Sequence, residues 1–168
     1  MWKKALLFLA CVNLFSAEPN VAEETKPVEI ERTLSIIKPD AVASCQIGEI
    51  LEYLENGGLK VIGSKMIRFT TEQAKSFYSA HKDKAFFNDL VAFMTSGPIV
   101  VQVLEGPDAV AVNRQIMGST NPADASPGTI RSDFGTDIQH NAIHGSDCPE
   151  NAQKEIALFF KESELFSK

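Results

Sequence analysis

Cysteine is scarce in this chain: Cys11, Cys45 and Cys148 are its 3 thiols among 168 residues. They are too few and too scattered for a disulfide framework or a zinc cluster, so the core must come from apolar burial alone. A basic excess is missing as well. Lys and Arg number 16 against 22 Asp and Glu, a formal net charge of −6. That balance gives no whole-chain attraction to nucleic acid or anionic lipid, although a local basic cluster could still hold phosphate. No apolar run approaches the roughly 20 residues that a membrane-spanning helix needs. Hydrophobic residues at 44% and charged residues at 23% are ordinary for a globular domain, which excludes disorder, collagen and coiled coil as descriptions of the whole. The length fits one domain.

The front end stands apart. Lys3 and Lys4 precede the apolar run Ala5–Phe15, interrupted only by Asn13, and Ser16-Ala17-Glu18-Pro19 follows. Positive charge, a short apolar run and then small residues form the layout of a secretory signal. Residues 1–17 therefore read as a signal-peptide-like segment, 18–31 as a polar linker and 32–168 as the folded domain. This predicts an exported protein, periplasmic or secreted. Phe15 departs from the pattern if cutting follows Ala17, because small residues are preferred there. A docking N-terminal helix on a cytoplasmic protein is the alternative.

The remainder alternates between the two hydrophobic periods. Thr33–Lys38 reads as a strand with Leu34 and Ile36 on one face and Ile37 on the other, stopped by Pro39. Ile47, Ile50, Leu51 and Leu54 fall at helical spacing and predict a helix over 46–55, ended by Asn56-Gly57-Gly58. Leu59–Thr70 reads as the longest strand, with Leu59, Val61, Ile67 and Phe69 on one face. Helices are predicted over 71–80, with Thr71 as N-cap, and over 89–95. A strand follows over 99–104, then helices over 109–117 and about 150–161. Asp147 and Glu150 suit an N-cap and capping box for the last helix, with Pro149 in its first turn. This order predicts a compact α/β sandwich.

Residues 118–148 show no clear period, and a stretch of that length in a small domain usually has a functional role. It carries Thr120, Arg131, Asn141, His144 and Ser146, with Arg114 just before it. Guanidinium forks, hydroxyls and an amide are the side chains that grip phosphate. Lys38, at the end of the first strand, stands where open α/β sheets place ligand groups. Neither G-x-x-x-x-G-K-[ST] nor G-x-G-x-x-G occurs, so a bound nucleotide would be held by side chains.

His144 is the candidate for chemistry. Gly145 clears the space beside its ring. Glu155 lies at the margin of the buried face marked by Ala152, Ile156 and Phe159, where a carboxylate is costly unless paired. A histidine just before the same helix is a natural partner, since a carboxylate on one ring nitrogen fixes the tautomer and raises the basicity of the other. A surface salt bridge to Lys154 is the plainer alternative. His140, His144 and Cys148 fall at i, i+4, i+8, as metal ligands on a helix would. Gly145 and Pro149 argue against a continuous helix there, so no metal site is assigned.

Ile37-Lys38-Pro39-Asp40, Phe77-Tyr78, His81, Phe86-Phe87, Ser96-Gly97-Pro98, Gly118-Ser119-Thr120-Asn121-Pro122 and Pro127-Gly128-Thr129-Ile130-Arg131 resemble motifs of the nucleoside diphosphate kinases. Asp133-Phe134-Gly135, Asn141-Ala142-Ile143-His144-Gly145-Ser146-Asp147 and Glu155 to Phe160 complete the resemblance, in order, over about residues 31–162. It implies a ferredoxin-like α+β sandwich, a four-stranded antiparallel sheet covered by helices. It also implies ping-pong transfer of the γ-phosphate from ATP and other nucleoside triphosphates to diphosphates, with Mg2+, maintaining nucleoside triphosphate pools. His144 matches the nucleophile that becomes phosphohistidine, and Glu155 and Ser146 match its supports. Lys38, Tyr78, Arg114, Thr120, Arg131 and Asn141 match positions around the phosphates and sugar. Phe86 matches the aromatic that stacks on the base, and Ile138 an apolar residue on its other face.

The resemblance further implies a homo-oligomer, tetramer or hexamer, and no nucleic-acid partner. Ser44-Cys45-Gln46, Cys148 and Gln139-His140 depart from the usual family residues. Two other functions stay open on the residues alone: a nucleotide-binding module without turnover, and a histidine phosphatase. The latter usually carries Arg-His-Gly, whereas Ile143 precedes His144 here.

Overall fold

The computed structural model describes residues 29–167. The signal-like segment 1–17 and residues 18–28 of the polar linker lie outside the described residues. The strands are β1 (Ile30–Ile37), β2 (Lys60–Ile67), β3 (Ile99–Pro107) and β4 (Ile143–Gly145). They form one sheet in the order β2-β3-β1-β4 with every neighbouring pair antiparallel. The helices are α1 (Pro39–Ala43), α2 (Ile47–Asn56), α3 (Thr71–Phe77), α4 (Phe87–Thr95), α5 (Ala109–Met117), α6 (Ile130–Phe134) and α7 (Pro149–Phe159). The expected four-stranded antiparallel sheet covered by helices is the fold observed.

Strand alternation builds a core on each side. Leu34 and Ile36 join Val101 and Val103 on one face, which α3, α4 and α7 cover through Ala74, Met94 and Ile156. Ile37 and Leu104 point to the other face, closed by Ile50 and Leu54 of α2, Met117 of α5 and Ile130 of α6. Ile50 and Leu54 are fully buried, and burying each such side chain stabilises the fold by about 1.5–3 kcal/mol.

The structure corrects several expectations. Pro39 ends β1 but also opens α1, where its fixed φ suits the first helical position. In β2 the pairing register shifts between Val61 and Gly63. A bulge inserts a residue and reverses the side-chain parity beyond it. Leu59 and Val61 consequently face the second core while Ile62, Ile67 and Phe69 face the first; they do not share one face. Thr70, not Thr71, caps α3: its side chain accepts from the Gln73 amide, while the Gln73 side-chain oxygen accepts from the Thr70 amide.

That helix ends at Phe77, and a 3₁₀ turn, Ser79–His81, follows. The aperiodic stretch holds α6 and the three-residue β4. Asp147 does not cap α7; Cys148 occupies that position without a side-chain bond, and Asp147 accepts from Asn151 at 2.7 Å. Cys45 and Cys148 are both free thiols.

Candidate active site

A cleft of about 930 Å3 opens where the ends of β1 and β4 meet α3, α4, α5 and α7. Ten of the eleven residues singled out in the sequence line it, and Ser146 lies immediately behind.

His144 sits in the middle of β4, opposite Ile36 of β1. Its ring packs edge-on against Phe77, with centroids 5.1 Å apart, and against Tyr78 at 6.0 Å. Nε2 of His144 lies 3.3 Å from Oε2 of Glu155. The same Oε2 accepts from Oγ of Ser146 at 2.6 Å, and that hydroxyl accepts from the Leu34 amide at 3.3 Å. The Glu155 carboxylate, nearly two turns into α7, thus has its partners, and Lys154 is not among them. With the carboxylate at Nε2, the proton belongs there and Nδ1 is left as the basic nitrogen. Gly145 lines the cleft, but its missing side chain has a second cause: a Cβ there would come within 2.4 Å of Nδ2 of Asn113 and 2.6 Å of Sδ of Met117. Helix α5 therefore packs directly under the histidine strand.

Lys38 leaves β1 with only 7% of its surface exposed. Its Nζ donates to Oδ1 of Asn141 at 2.6 Å and lies 5.9 Å from the centre of the Phe93 ring. Burial first, and the charge of Arg131 second, pull its pKa down to about 8, against the opposing pull of Asp40 and Asp137. Asn141 in turn donates to the carbonyls of Thr120 at 2.8 Å and Ile138 at 3.0 Å. Lysine, amide and two loops thus form one unit.

Arg131 is buried in α6. It donates to the carbonyls of Gly118 at 2.9 Å and Ile143 at 3.1 Å, so part of its fork ties the loop before α6 to β4. Its buried Nε has no partner among the described residues. Burial and then Arg114 bring its pKa down to about 10. Arg114 and Thr120 are exposed at the cleft wall. Phe86 and Ile138, exposed by 51% and 63%, line its mouth. The Tyr78 hydroxyl is buried without a partner among the described residues, and burial, reinforced by Glu155, pushes its pKa well up.

The metal-ligand alternative fails on geometry. His144 is on an extended strand, and His140 precedes it in a turn where its Nδ1 meets Asp137 at 2.9 Å. Four contributors were given no part in the site from the sequence. Phe77 packs on the histidine, and Asp147 lines the cleft beside it. Asp137 caps the turn carrying Ile138. Oδ2 of Asp40 accepts from the amide of Ala142 at 3.0 Å. Ala142 has φ 65, a left-handed geometry that costs a non-glycine residue about 1–2 kcal/mol. Only Lys-Pro-Asp, as part of a motif, hinted at Asp40.

A sequence model of the family described as "Nucleoside diphosphate kinase" matches residues 31–165. A protein of that name from Halorhodospira halophila is 60% identical over 139 residues, covering 83% of this chain and 99% of the relative. Another from Coxiella burnetii is 58% identical over 137 residues, covering 82% and 99%. Among solved structures, the nucleoside diphosphate kinase of Aquifex aeolicus superposes with a TM-score of 0.80 at 46% identity, over 82% of this chain and 100% of that one. The halophilic enzyme of Halobacterium salinarum, solved in complex with CDP, gives 0.80 at 48% identity over 83% and 93%. The chain belongs to the nucleoside diphosphate kinase family, and its activity is phosphotransfer between nucleotides.

Proposed function

We propose that the transfer runs through His144 in two half-reactions. Nδ1 attacks the γ-phosphorus of a bound nucleoside triphosphate while the bond from that phosphorus to the β-phosphate bridging oxygen breaks, and the diphosphate leaves. A second diphosphate then takes the phosphoryl group from Nδ1 onto its terminal oxygen. One observation carries this reading: Ser146 and Nε2 of His144 converge on one oxygen of Glu155, and that histidine lines a cleft together with Lys38, Arg114 and Arg131. Phosphoryl transfer asks mainly for positioning and for charge stabilisation on the equatorial oxygens, and those three cations supply it.

Thr120, Asn141 and Tyr78 serve the phosphates and sugar, Asn141 largely by holding Lys38. Phe86 and Ile138 clasp the base. Stacking is nearly indifferent to base identity, so the enzyme accepts many nucleotides and maintains the triphosphate pool. Asp147, exposed at the cleft wall, fits a magnesium ion arriving with the nucleotide, since Mg2+ takes one or two carboxylates plus phosphates and keeps its waters. An ion held there would neutralise phosphate charge. A coupled assay for ATP formed from ADP and GTP tests the reading. Wild type should turn over and His144→Ala should not. Turnover retained in that variant would defeat the assignment; binding without turnover in wild type would favour a binding module, and release of inorganic phosphate a phosphatase.

We further infer a homo-oligomer, tetramer or hexamer. Met66 and Phe166, exposed by 60% and 74%, are apolar surface outside the cleft, and β2 is an edge strand, met on its outer side by the Phe166 amide, which donates to the Ile62 carbonyl at 2.8 Å. Residues 1–17 are read as an export segment ahead of the family match at 31. The mass of the mature N-terminus distinguishes export from a cytoplasmic location.

A further inference from the structure

We propose that His140 is a positioning residue for nucleotide binding, acting through Asp137 to hold the turn that presents Ile138 at the cleft mouth. The proposal rests on the cleft being the nucleotide site. Asp137, Ile138 and Gln139 line that cleft, whereas His140 does not. His140 can therefore act only through its neighbours.

The turn is tightly specified for so exposed a segment. Oδ1 of Asp137 accepts from the amides of Gln139 and His140, each at 2.8 Å. Nδ1 of His140 returns to the same carboxylate, 2.9 Å from Oδ2. The Thr136 amide donates to the carbonyl of His140 at 2.8 Å, closing the loop at its base. A carboxylate that takes two backbone amides and a ring N–H fixes three consecutive residues, Ile138 among them. These bonds hold the Asp137 carboxyl below its usual range.

The His140 ring is also anchored from below. It meets Phe93 of α4 edge-on, with centroids 4.6 Å apart. Phe93 is the ring beneath Nζ of Lys38. The turn is thereby tied to a rigid helix rather than left to the loop. Both protonation states of the imidazole can donate from Nδ1 to Asp137, so the device does not require a charged ring. The groups facing it are Asp137 on its own turn, Phe93 on α4 and, beyond Phe93, Lys38 at the end of β1.

This arrangement separates two effects. Loosening the turn displaces Ile138 and weakens the grip on the base in every state of the reaction. Binding that is equally strong in the ground and transition states alters KM without altering kcat. Lys38 touches the turn through Asn141, which donates to the Ile138 carbonyl, but Asn141 is also fixed by the Thr120 carbonyl and His144 by Glu155, so kcat should change by a smaller factor than KM.

The test compares His140→Ala, Asp137→Ala and Asp137→Asn with Ile138→Ala, in steady-state kinetics with ADP, GDP and CDP as acceptors. His140→Ala and Asp137→Ala should raise KM for all three by a common factor of about two- to fivefold, the range of one partly exposed charged contact, with a smaller change in kcat, smallest in His140→Ala. Asp137→Asn should recover part of the loss, because its carbonyl oxygen still accepts the two amides. Thermal unfolding of each variant should match wild type, which excludes general misfolding as the cause. Wild-type KM in His140→Ala and Asp137→Ala, beside a raised KM in Ile138→Ala, overturns the proposal while leaving the cleft reading intact. A fall in kcat at unchanged KM also overturns it, since the pair would then act on the phosphates. Unchanged KM in Ile138→Ala defeats the cleft reading, and this proposal with it.

Discussion

Nε2 of His144 and Oε2 of Glu155 lie 3.3 Å apart, one on the last strand and the other nearly two turns into the last α-helix. Ser146, two residues beyond the histidine, donates to the same oxygen at 2.6 Å and is itself fixed by the Leu34 amide. The ring is thus oriented by a contact that begins in β1, an inner strand of the sheet. Phe77 and Tyr78 pack edge-on against it.

Glu155→Gln should keep the fold and lose the charge that favours the proton on Nε2. We expect kcat to fall about tenfold to a hundredfold, a positioning effect smaller than loss of the nucleophile. Ser146→Ala should give a smaller fall in the same direction. Presteady-state phosphorylation of the enzyme by ATP measures the step directly, and unchanged rates in both variants would show that Nε2 needs no partner.

Lys38 gives the pH dependence. Its pKa lies near 8 in the folded chain, below its ordinary 10.5. Between those values the unfolded chain holds a proton that the folded chain has released, so this group's contribution to stability rises with pH across that window. Activity moves the other way. The ammonium that meets phosphate is lost as pH rises through about 8, and kcat/KM should decline there. Lys38→Arg, whose guanidinium stays charged, should flatten that limb even at a lower overall rate. A profile identical to wild type in Lys38→Arg would assign the limb to another group.

Phe86 is half exposed and offers a flat face at the cleft mouth. Phe86→Ala should weaken all nucleotides by a similar amount, about 1–3 kcal/mol. Calorimetric titration with ADP, GDP and CDP checks this. A loss confined to one base would place selectivity in edge contacts instead.

Asp40 holds Ala142 in its left-handed conformation two residues before His144. Asp40→Ala should cost about 1–3 kcal/mol of stability through the amide it abandons. It should also lower kcat by loosening the strand. Denaturant unfolding and turnover should change together; an unaltered midpoint would mean that the amide finds another partner.

Much of this site was legible in the chain because its chemistry sits in local patterns. His144-Gly145-Ser146, Arg131 and Lys38 stand in short motifs, and the period of Ala152, Ile156 and Phe159 placed Glu155 beside the buried face. The long elements were legible for the same reason, since helix α5 and strands β1 and β3 have enough residues to display a period. Strand β4 has three residues, Ile143–Gly145, too few to show alternation, so its pairing with β1 could be found only in three dimensions. The bulge in β2 reversed a face because one unpaired residue leaves no mark in composition. Asp147 had the right spacing for a cap, but its carboxylate turned to Asn151. The Asp137–His140 pair was hidden because its function depends on Phe93, far away in sequence.

The central claim is that His144 carries the phosphoryl group on Nδ1. Incubation of the protein with γ-labelled ATP, followed by acid and alkali stability tests and peptide mapping, measures it most directly. The expected result is an acid-labile, alkali-stable label on the peptide containing His144, lost in His144→Ala and released as labelled triphosphate when ADP is added. Label that persists in His144→Ala, on His81 or His140, or that forms but never transfers to ADP, would contradict it.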